Sequence, residues 1–148
     1  MKFKSRGGFL LSKIHQLAGR IFAKMLRNYN LELNPAQGRI MFVLWQKDGI
    51  PIQELAKETS LGKSTLTSML DRLEKGGYVK RVPSPADRRT ILIKRTKKDE
   101  AHKDEYIKVS DEITNVFYKG FSSNELKEFE KFLDRIFGNL TAYDKDNK

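Results

Sequence analysis

The sequence contains no cysteine. Disulfide bonds, thiolate zinc sites, iron–sulfur clusters and thiol redox switches within this chain are therefore excluded. Histidine is also scarce, since His15 and His102 are the only two and lie far apart in sequence. General acid–base catalysis and transition-metal binding both depend heavily on histidine or cysteine. We therefore expect a protein that is not an enzyme and that has no cofactor and no metal site.

Long apolar segments are missing as well. The longest uninterrupted run, Ile40 to Trp45, is far too short to cross a bilayer. Near the start, Phe9 to Leu11 is followed at once by Ser12 and Lys13, which leaves no room for the apolar core of an export signal. The sequence thus predicts a cytoplasmic protein with no membrane partner.

Positive charge is abundant and unevenly distributed. The 148 residues include 29 Lys and Arg against 19 Asp and Glu, a net charge of +10. Residues 1–30 carry seven positive and no acidic side chains, and residues 62–98 carry eleven positive and three acidic ones. Residues 99–148 have a net charge of −4. A local basic block favours a nucleic-acid surface between residues 62 and 98, with a solvated basic face as the alternative.

Apolar periodicity predicts helices over much of the chain. Leu10, Ile14, Leu17 and Ile21 recur at steps of three and four, which indicates an amphipathic helix. Asn34 before Pro35 predicts a helix start. A short helix is expected around residues 53–58 and another over residues 63–75, separated by a tight break at residues 60–62 and ended by two glycines.

The period then changes. Residues 78–82 and 90–96 alternate in β-favouring side chains around a proline-containing turn, which predicts a β-hairpin with a charged tip. Helical spacing returns from Tyr106 to Phe121, and Ser122 or Ser123 with Glu125 predicts the cap of a last helix. Residues 144–148 are expected to form a disordered tail. The fold class is therefore mainly α with a small β-hairpin.

Two short helices joined by a turn of three to four residues and followed by a β-hairpin form the plan of a winged helix-turn-helix protein that binds DNA. The segments Glu54 to Lys57, Leu61 to Thr67, Asp71 to Val79 and Pro85 to Arg89 together resemble the MarR family of bacterial transcription regulators. Asn34 to Gln37 also looks like that family's second-helix start. The resemblance covers the central half of the chain most strongly.

The resemblance implies which side chains meet DNA. The helix from Lys63 becomes the recognition helix, and its core face leaves hydroxyls and cations outward. Ser68 stands where the family frequently has a larger basic residue, which shifts sequence discrimination towards indirect readout. The expected DNA-binding residues of this helix are Lys63, Ser64, Thr65, Thr67, Ser68 and Arg72.

The hairpin carries the family's wing signature in part. Asp87, Arg89 and Thr96 match it, whereas Arg95 stands at its leucine position and adds positive charge near the base of the wing. In the family the aspartate orients the arginine towards the minor groove, so Asp87, Arg88 and Arg89 are the expected wing residues. A solvated loop whose charges have no function is the alternative.

The outer helices carry more large apolar side chains than a small winged domain can cover, which favours a symmetric dimer. We therefore assign residues 1–32 and 99–148 to a helical dimerisation region and residues 33–98 to the winged helix-turn-helix domain. The expected interface residues are Leu10, Ile14, Leu17, Phe117, Phe121, Phe129 and Leu133.

The sequence as a whole predicts a homodimeric regulator, a repressor, that binds a pseudo-palindromic site on double-stranded DNA. The family resemblance also implies that a small aromatic or lipophilic effector modulates DNA binding. Two alternatives remain: a nonspecific or architectural nucleic-acid-binding protein, and an adaptor that uses the winged domain to bind protein.

Overall fold

A computed structural model describes residues 4–147. Most of this part is helical, with a small antiparallel sheet, so the predicted fold class is confirmed. The chain divides into two compact units, the first ending at Ile113 and the second beginning at Thr114. In chain order the elements are α1 (Gly7–Asn28), α2 (Pro35–Gln46), β1 (Ile50–Pro51), α3 (Ile52–Thr59), α4 (Lys63–Lys75), β2 (Val79–Pro83), β3 (Ile91–Arg95), α5 (Lys97–Phe117) and α6 (Ser123–Asp146).

Helix α2 begins where the sequence predicted it. The Asn34 side chain accepts a hydrogen bond from the Gln37 backbone N–H at 2.8 Å, and the Gln37 side chain accepts one from the Asn34 N–H at 2.9 Å. This reciprocal pair satisfies two backbone donors that a helix start otherwise leaves without partners. Pro35 follows at the first helical position, where its missing N–H costs nothing.

Helices α3 and α4 are joined by a turn that ends in Gly62. Ser60 adopts a left-handed conformation with φ of 56°, and the Thr59 hydroxyl donates a hydrogen bond to the Leu55 carbonyl at 2.7 Å. The left-handed residue reverses the chain immediately after α3. Helix α4 then runs over the predicted residues.

The sheet has one strand more than the sequence predicted. Strands β2 and β3 form the expected hairpin, with Arg81 opposite Ile93. The additional strand β1 pairs antiparallel with β3, with Ile50 opposite Ile93, and gives the sheet order β1-β3-β2. Two residues are too few to show the alternation of a strand, and the partner of β1 lies more than forty residues away in sequence. No local pattern could therefore predict this strand.

The core of the first unit lies between the helices and the inner face of the sheet. Three leucines of α4 belong to one cluster of buried side chains that also includes residues of α1, α2, β1, α3, β2, β3 and α5. Tyr106 of α5 packs edge-on against Phe22 of α1 and Trp45 of α2, with ring centroids 5.7 Å and 4.9 Å apart. Helix α5 therefore fastens α1 to the helix-turn-helix.

The second unit differs from the prediction at two points. Helix α5 ends at Phe117 and not at the expected Phe121, and Gly120 turns the chain with φ of 85°. Ser122 and Glu125 form the predicted capping box of α6. This helix continues to Asp146, so the disordered tail expected from residue 144 is wrong for residues 144–146. Lys148, the last residue of the expected tail, lies outside the described residues.

Candidate nucleic-acid interface

Helix α4 presents one apolar and one polar face. Leu66, Leu70 and Leu73 recur at steps of four and three, and each is only 1% exposed. These residues fix the rotation of the helix, because a turn about its axis would expose them to water. The six predicted recognition residues all lie on exposed positions: Lys63, Ser64, Thr65, Thr67, Ser68 and Arg72.

The wing tip is ordered by Asp87. Its carboxylate oxygen Oδ1 accepts hydrogen bonds from the Arg89 backbone N–H at 3.0 Å and from Arg89 Nε at 3.3 Å. The Thr90 N–H donates to the Asp87 carbonyl at 2.9 Å, which closes the turn. The Arg89 side chain is nevertheless 92% exposed, so its guanidinium is oriented but free to meet a ligand. Arg88 is also exposed beside it.

A groove of about 590 Å³ separates the wing from the start of α4. Lys63 and Thr67 of α4 line it together with Arg89 and Thr90 of the wing. The fold therefore brings two predicted recognition residues and one predicted wing residue to a single concave surface. The other predicted recognition and wing residues do not line this groove: Ser64, Thr65, Ser68, Arg72, Asp87 and Arg88.

Helix α3 contributes side chains to the same groove that the sequence did not single out. Gln53 is exposed and lines it beside Ile52 and Ala56. Gln53 is a fitting partner for a nucleic acid, because its amide can both donate to and accept from base edges and phosphates. The sequence signal that could have indicated Gln53 was its position on the helix just before the predicted recognition helix.

Strand β2 is tied to the recognition helix by Arg81. The guanidinium donates to Asp71 Oδ1 and to Glu74 Oε1, both at 2.8 Å. The two carboxylates belong to α4, so their negative charge is compensated within the protein. This arrangement reduces the repulsion that an anionic ligand of α4 would otherwise meet.

The predicted interface residues in α1 are exposed in the single chain. Leu10, Ile14 and Leu17 are 41%, 43% and 50% exposed and recur along one side of the helix. Burying such a strip is favourable, because each Å² of apolar surface that is removed from water contributes a stabilising free energy of about 25 cal/mol. An uncovered strip of this length is typical of a helix that packs against another chain.

The second unit has an apolar strip of its own. Phe117 and Phe121 are 42% and 48% exposed, whereas Phe129 and Leu133 are half-buried. Phe129 lies against Tyr118 and Phe121, with ring centroids 6.1 Å and 6.4 Å apart. Further exposed apolar side chains extend along α6 beyond the predicted set: Phe132, Ile136, Phe137, Leu140 and Tyr143.

Among residues 4–147, no group of three or more histidine, aspartate or glutamate side chains is arranged to hold a metal ion. None of the helices within the described part of the chain is long and apolar enough to cross a membrane.

Comparison with known proteins identifies this arrangement. The sequence model of the MarR family matches residues 33–91, a segment that begins just before the α2 cap and ends at the first residue of β3. Residues 33–91 of this chain therefore match the MarR family. The proteins that match this segment are transcriptional regulators, and one of them is bound to operator DNA, which supports a DNA-binding regulator.

Individual members of the MarR family are similar over most of the chain. The transcriptional regulator MgrA of Staphylococcus aureus is 26% identical over 122 residues, which are 82% of this chain and 78% of that protein. A mutant of MarR from E. coli, crystallised with operator DNA, superposes with a TM-score of 0.78 at 27% identity and covers 87% of this chain and 91% of that one.

A third relative shares the fold. BpsR of Bordetella bronchiseptica, whose DNA binding is regulated by 6-hydroxynicotinic acid, has a TM-score of 0.81 at 22% identity. The alignment covers 92% of this chain and 96% of BpsR.

Proposed function

We propose that the protein is a homodimeric repressor that places α4 of each protomer in the major groove of a pseudo-palindromic operator and lays each wing on the adjoining minor groove. The observation that carries this proposal is the groove in which Lys63 and Thr67 of α4 face Arg89 of the wing. A surface that joins the start of a polar helix to an oriented guanidinium fits a helix in one groove and an arginine in the next.

Each predicted residue has a defined role in this proposal. Lys63 begins α4, where the backbone N–H groups also favour an anion, and contacts a phosphate. The hydroxyl-bearing residues that follow hydrogen-bond to base edges, and Arg72 contacts the backbone further along. Arg89 enters the minor groove, held by Asp87, and Arg88 contacts the flanking phosphates.

Ser68 sets the expected kind of specificity. A serine hydroxyl has a single donor, whereas an arginine donates two parallel hydrogen bonds to guanine, and such a bidentate pair is worth about 1–3 kcal/mol of discrimination. Part of the sequence preference must therefore come from the shape and deformability of the operator. An operator with an A·T-rich segment under the wing is expected, because a narrow minor groove attracts arginine.

Dimerisation is supported by the apolar strips on α1 and on the second unit. A second copy of the chain is the simplest cover for both. In such a dimer two copies of α4 reach successive major grooves when they lie about 34 Å apart, one turn of B-DNA. Phe137→Asp places a charge on an exposed apolar position of α6 and is expected to dissociate the dimer without disturbing the core of the monomer.

The bound dimer represses transcription when it occupies DNA that RNA polymerase needs. An effector that weakens operator binding relieves this repression. BpsR, which shares this fold, provides the precedent of a small aromatic acid acting on DNA binding. A coupling of about 1–3 kcal/mol between effector and operator changes occupancy about 5- to 150-fold. Titrating aromatic carboxylic acids into a preformed operator complex tests this part of the proposal.

The decisive experiment is selection of random duplexes by the purified protein, followed by binding of the best sequence at several salt concentrations. The proposal requires an enriched inverted repeat with half-sites one turn apart. Arg89→Ala should weaken binding to that sequence about 10- to 100-fold. Lys108→Ala on the exposed face of α5 removes the same charge and is the matched control, with an expected change below threefold.

Recognition-helix variants test the assignment of sequence reading. Ser64→Ala and Thr67→Ala should change which bases are selected more than they change overall affinity, because their hydroxyls contact base edges in this proposal. A uniform loss of affinity across all sequences would contradict that role.

The rival function is nonspecific or architectural nucleic-acid binding, and Ser68 is the observation that favours it. It predicts strong binding to every duplex with a steep salt dependence and no enriched sequence. The same selection experiment therefore separates the two functions. An adaptor that binds protein through the winged domain predicts no salt-sensitive DNA binding at all.

A further inference from the structure

A buried ion pair lies where β3 meets α5. The Asp99 side chain is 1% exposed and accepts a hydrogen bond from Arg95 Nε at 2.7 Å. The indole Nε1 of Trp45 lies 3.1 Å from one Asp99 carboxylate oxygen and 3.0 Å from the other. Side chains from α2, from the end of β3 and from the first turn of α5 thus meet at one carboxylate.

The Arg95 guanidinium has acidic hydrogen-bond partners on α5. The Arg95 side chain is 14% exposed, and its guanidinium also donates to Glu100. Burial opposes the charged guanidinium, but the hydrogen bond to Asp99 and the nearby acidic charges leave the pKa of Arg95 above its ordinary value. The guanidinium is therefore charged in the folded protein, and removing Asp99 would leave it in a poorly hydrated site without its main partner.

The Arg95 backbone has a second attachment. Its N–H donates to Asp48 Oδ1 at 2.9 Å, and the same oxygen accepts the Gly49 N–H at 2.8 Å. Asp48 belongs to the loop between α2 and β1. The last residue of β3 is consequently held on its side chain by α5 and on its backbone by the loop after α2.

We propose that Arg95 and Asp99, together with the Trp45 indole, are positioning residues of the wing. They hold the end of β3 against α2 and α5, and so fix the direction in which the tip presents Arg89 to DNA. This inference rests on the proposed function, because it assumes that the wing binds the operator and that the cluster sets the orientation in which it does so.

The distance from the cluster to the tip shows why a small displacement matters. Arg95 and Arg89 are six residues apart, which is about 20 Å of extended chain. A rotation of about 10° at the base therefore moves the tip by about 3.5 Å. A hydrogen bond is lost over a much smaller displacement.

Direct contact between Arg95 and a phosphate is the main rival explanation. Arg95 stands at the leucine position of the wing signature and is a cation in a basic block. Its side chain, however, is 14% exposed and its donors point at Asp99 and Glu100. The guanidinium is therefore committed inside the protein, unlike that of Arg89, which is 92% exposed.

Two charge-changing variants separate positioning from direct contact. Direct contact predicts changes of opposite sign in operator affinity for the two variants, whereas positioning predicts a loss of affinity in both. Asp99→Asn makes the protein more positive and Arg95→Leu makes it less positive. If charge or phosphate contact decides, the first should strengthen operator binding and the second should weaken it. If positioning decides, both should weaken binding at least tenfold at a temperature where each variant is fully folded.

The double variant and a matched control complete the set. Arg95→Leu with Asp99→Asn removes both charges, and positioning by a mutual pair requires that it bind no more weakly than either single variant. Asp104→Asn makes the same chemical change at an exposed position of α5 and should alter affinity less than threefold. Trp45→Phe keeps an aromatic ring beside Tyr106 while removing the indole donor, and serves if Asp99→Asn fails to fold.

A measurement without DNA keeps the inference separate from the proposed function. The Ser84 N–H donates to the Thr90 carbonyl at 2.8 Å across the wing. Amide hydrogen exchange of Ser84, Thr90 and β3 should be at least tenfold faster in Asp99→Asn than in Asp104→Asn, because the base of the wing is no longer held in place. If the wild type selects no operator, the proposed function fails and exchange alone judges the cluster. Wild-type exchange in Asp99→Asn, wild-type operator affinity in both single variants, or tighter binding by Asp99→Asn would overturn the inference.

Discussion

Replacing Gly38 by alanine tests the contact between α2 and α5. A Cβ atom at Gly38 would lie 1.7 Å from the Tyr106 hydroxyl oxygen and 2.6 Å from the carbon that bears it. Tyr106 is 5% exposed and lies between the Phe22 and Trp45 rings. The ring therefore has little freedom to withdraw, and the helices must separate locally or the ring must leave its position.

Two effects of opposite sign determine the magnitude. Alanine in a helix interior is favoured over glycine by about 1 kcal/mol. Forcing an extra carbon into a packed core costs about 1–3 kcal/mol, and a separation of 1.7 Å belongs at the upper end of that range. We expect Gly38→Ala to lower the free energy of unfolding by about 1–2 kcal/mol and the melting temperature by about 2–8 °C.

Urea unfolding of three variants decides the matter. Gly19→Ala lies in α1, where the new Cβ would have no heavy atom within 4 Å, so only the helix gain applies and stability should rise. Combining Gly38→Ala with Tyr106→Phe removes the closest oxygen and should recover part of the loss. If Gly38→Ala is as stable as Gly19→Ala, the close packing of α2 on α5 is refuted.

Two further predictions concern stability. Asn34→Ala should cost about 1–2 kcal/mol in urea unfolding because it opens the α2 capping box, whereas Asn34→Asp should retain most of the stability. Burial raises the pKa of Tyr106 to about 12. The unfolded chain therefore loses this proton first, near pH 10, and the contribution of neutral Tyr106 to stability is lost as the pH rises from about 10 to about 12. Unfolding measured over that range should show a loss of about 2–3 kcal/mol that Tyr106→Phe lacks; equal losses in both proteins would contradict it.

Local signals in the sequence predicted local structure well. The Asn34–Pro35 cap and the Ser122–Glu125 box appear where residues a few positions apart satisfy each other. The leucine spacing of α4 predicted both the extent of that helix and the face it exposes. In each case the deciding interactions lie within one or two helical turns, which is the range that a sequence pattern reports.

Interactions between distant residues were beyond such signals. Strand β1 exists because Ile50 and Pro51 pair with β3, and nothing in the two residues themselves indicates a strand. The end of α5 before Phe121 depends on Gly120, whose positive φ breaks a helix that apolar spacing alone would continue. Trp45 and Asp99 are 54 positions apart, so their contact could be found only in the fold.

The basic block illustrates how a charge count can mislead about a surface. Counted over residues 62–98, Arg95 adds positive charge near the base of the wing, but the carboxylate that it pairs with is Asp99, one residue beyond that segment. Arg81 likewise is directed at Asp71 and Glu74 of α4. Two guanidinium groups of the block are thus committed to holding the strands of the wing in place.

The salt dependence of operator binding provides a way to count the remaining cations. Each phosphate that a protein cation neutralises contributes about 0.9 to the slope of log affinity against log salt. Arg81 and Arg95 should contribute nothing to that slope, because their donors are engaged within the protein, whereas Arg89→Ala should reduce it by about 0.9 per protomer if its guanidinium neutralises one phosphate. In the positioning role Arg95→Leu and Asp99→Asn displace the wing alike, so their slopes should be equal. A slope that is lower in Arg95→Leu than in Asp99→Asn by about 0.9 per protomer would place Arg95 on the DNA and contradict its role at the base of the wing.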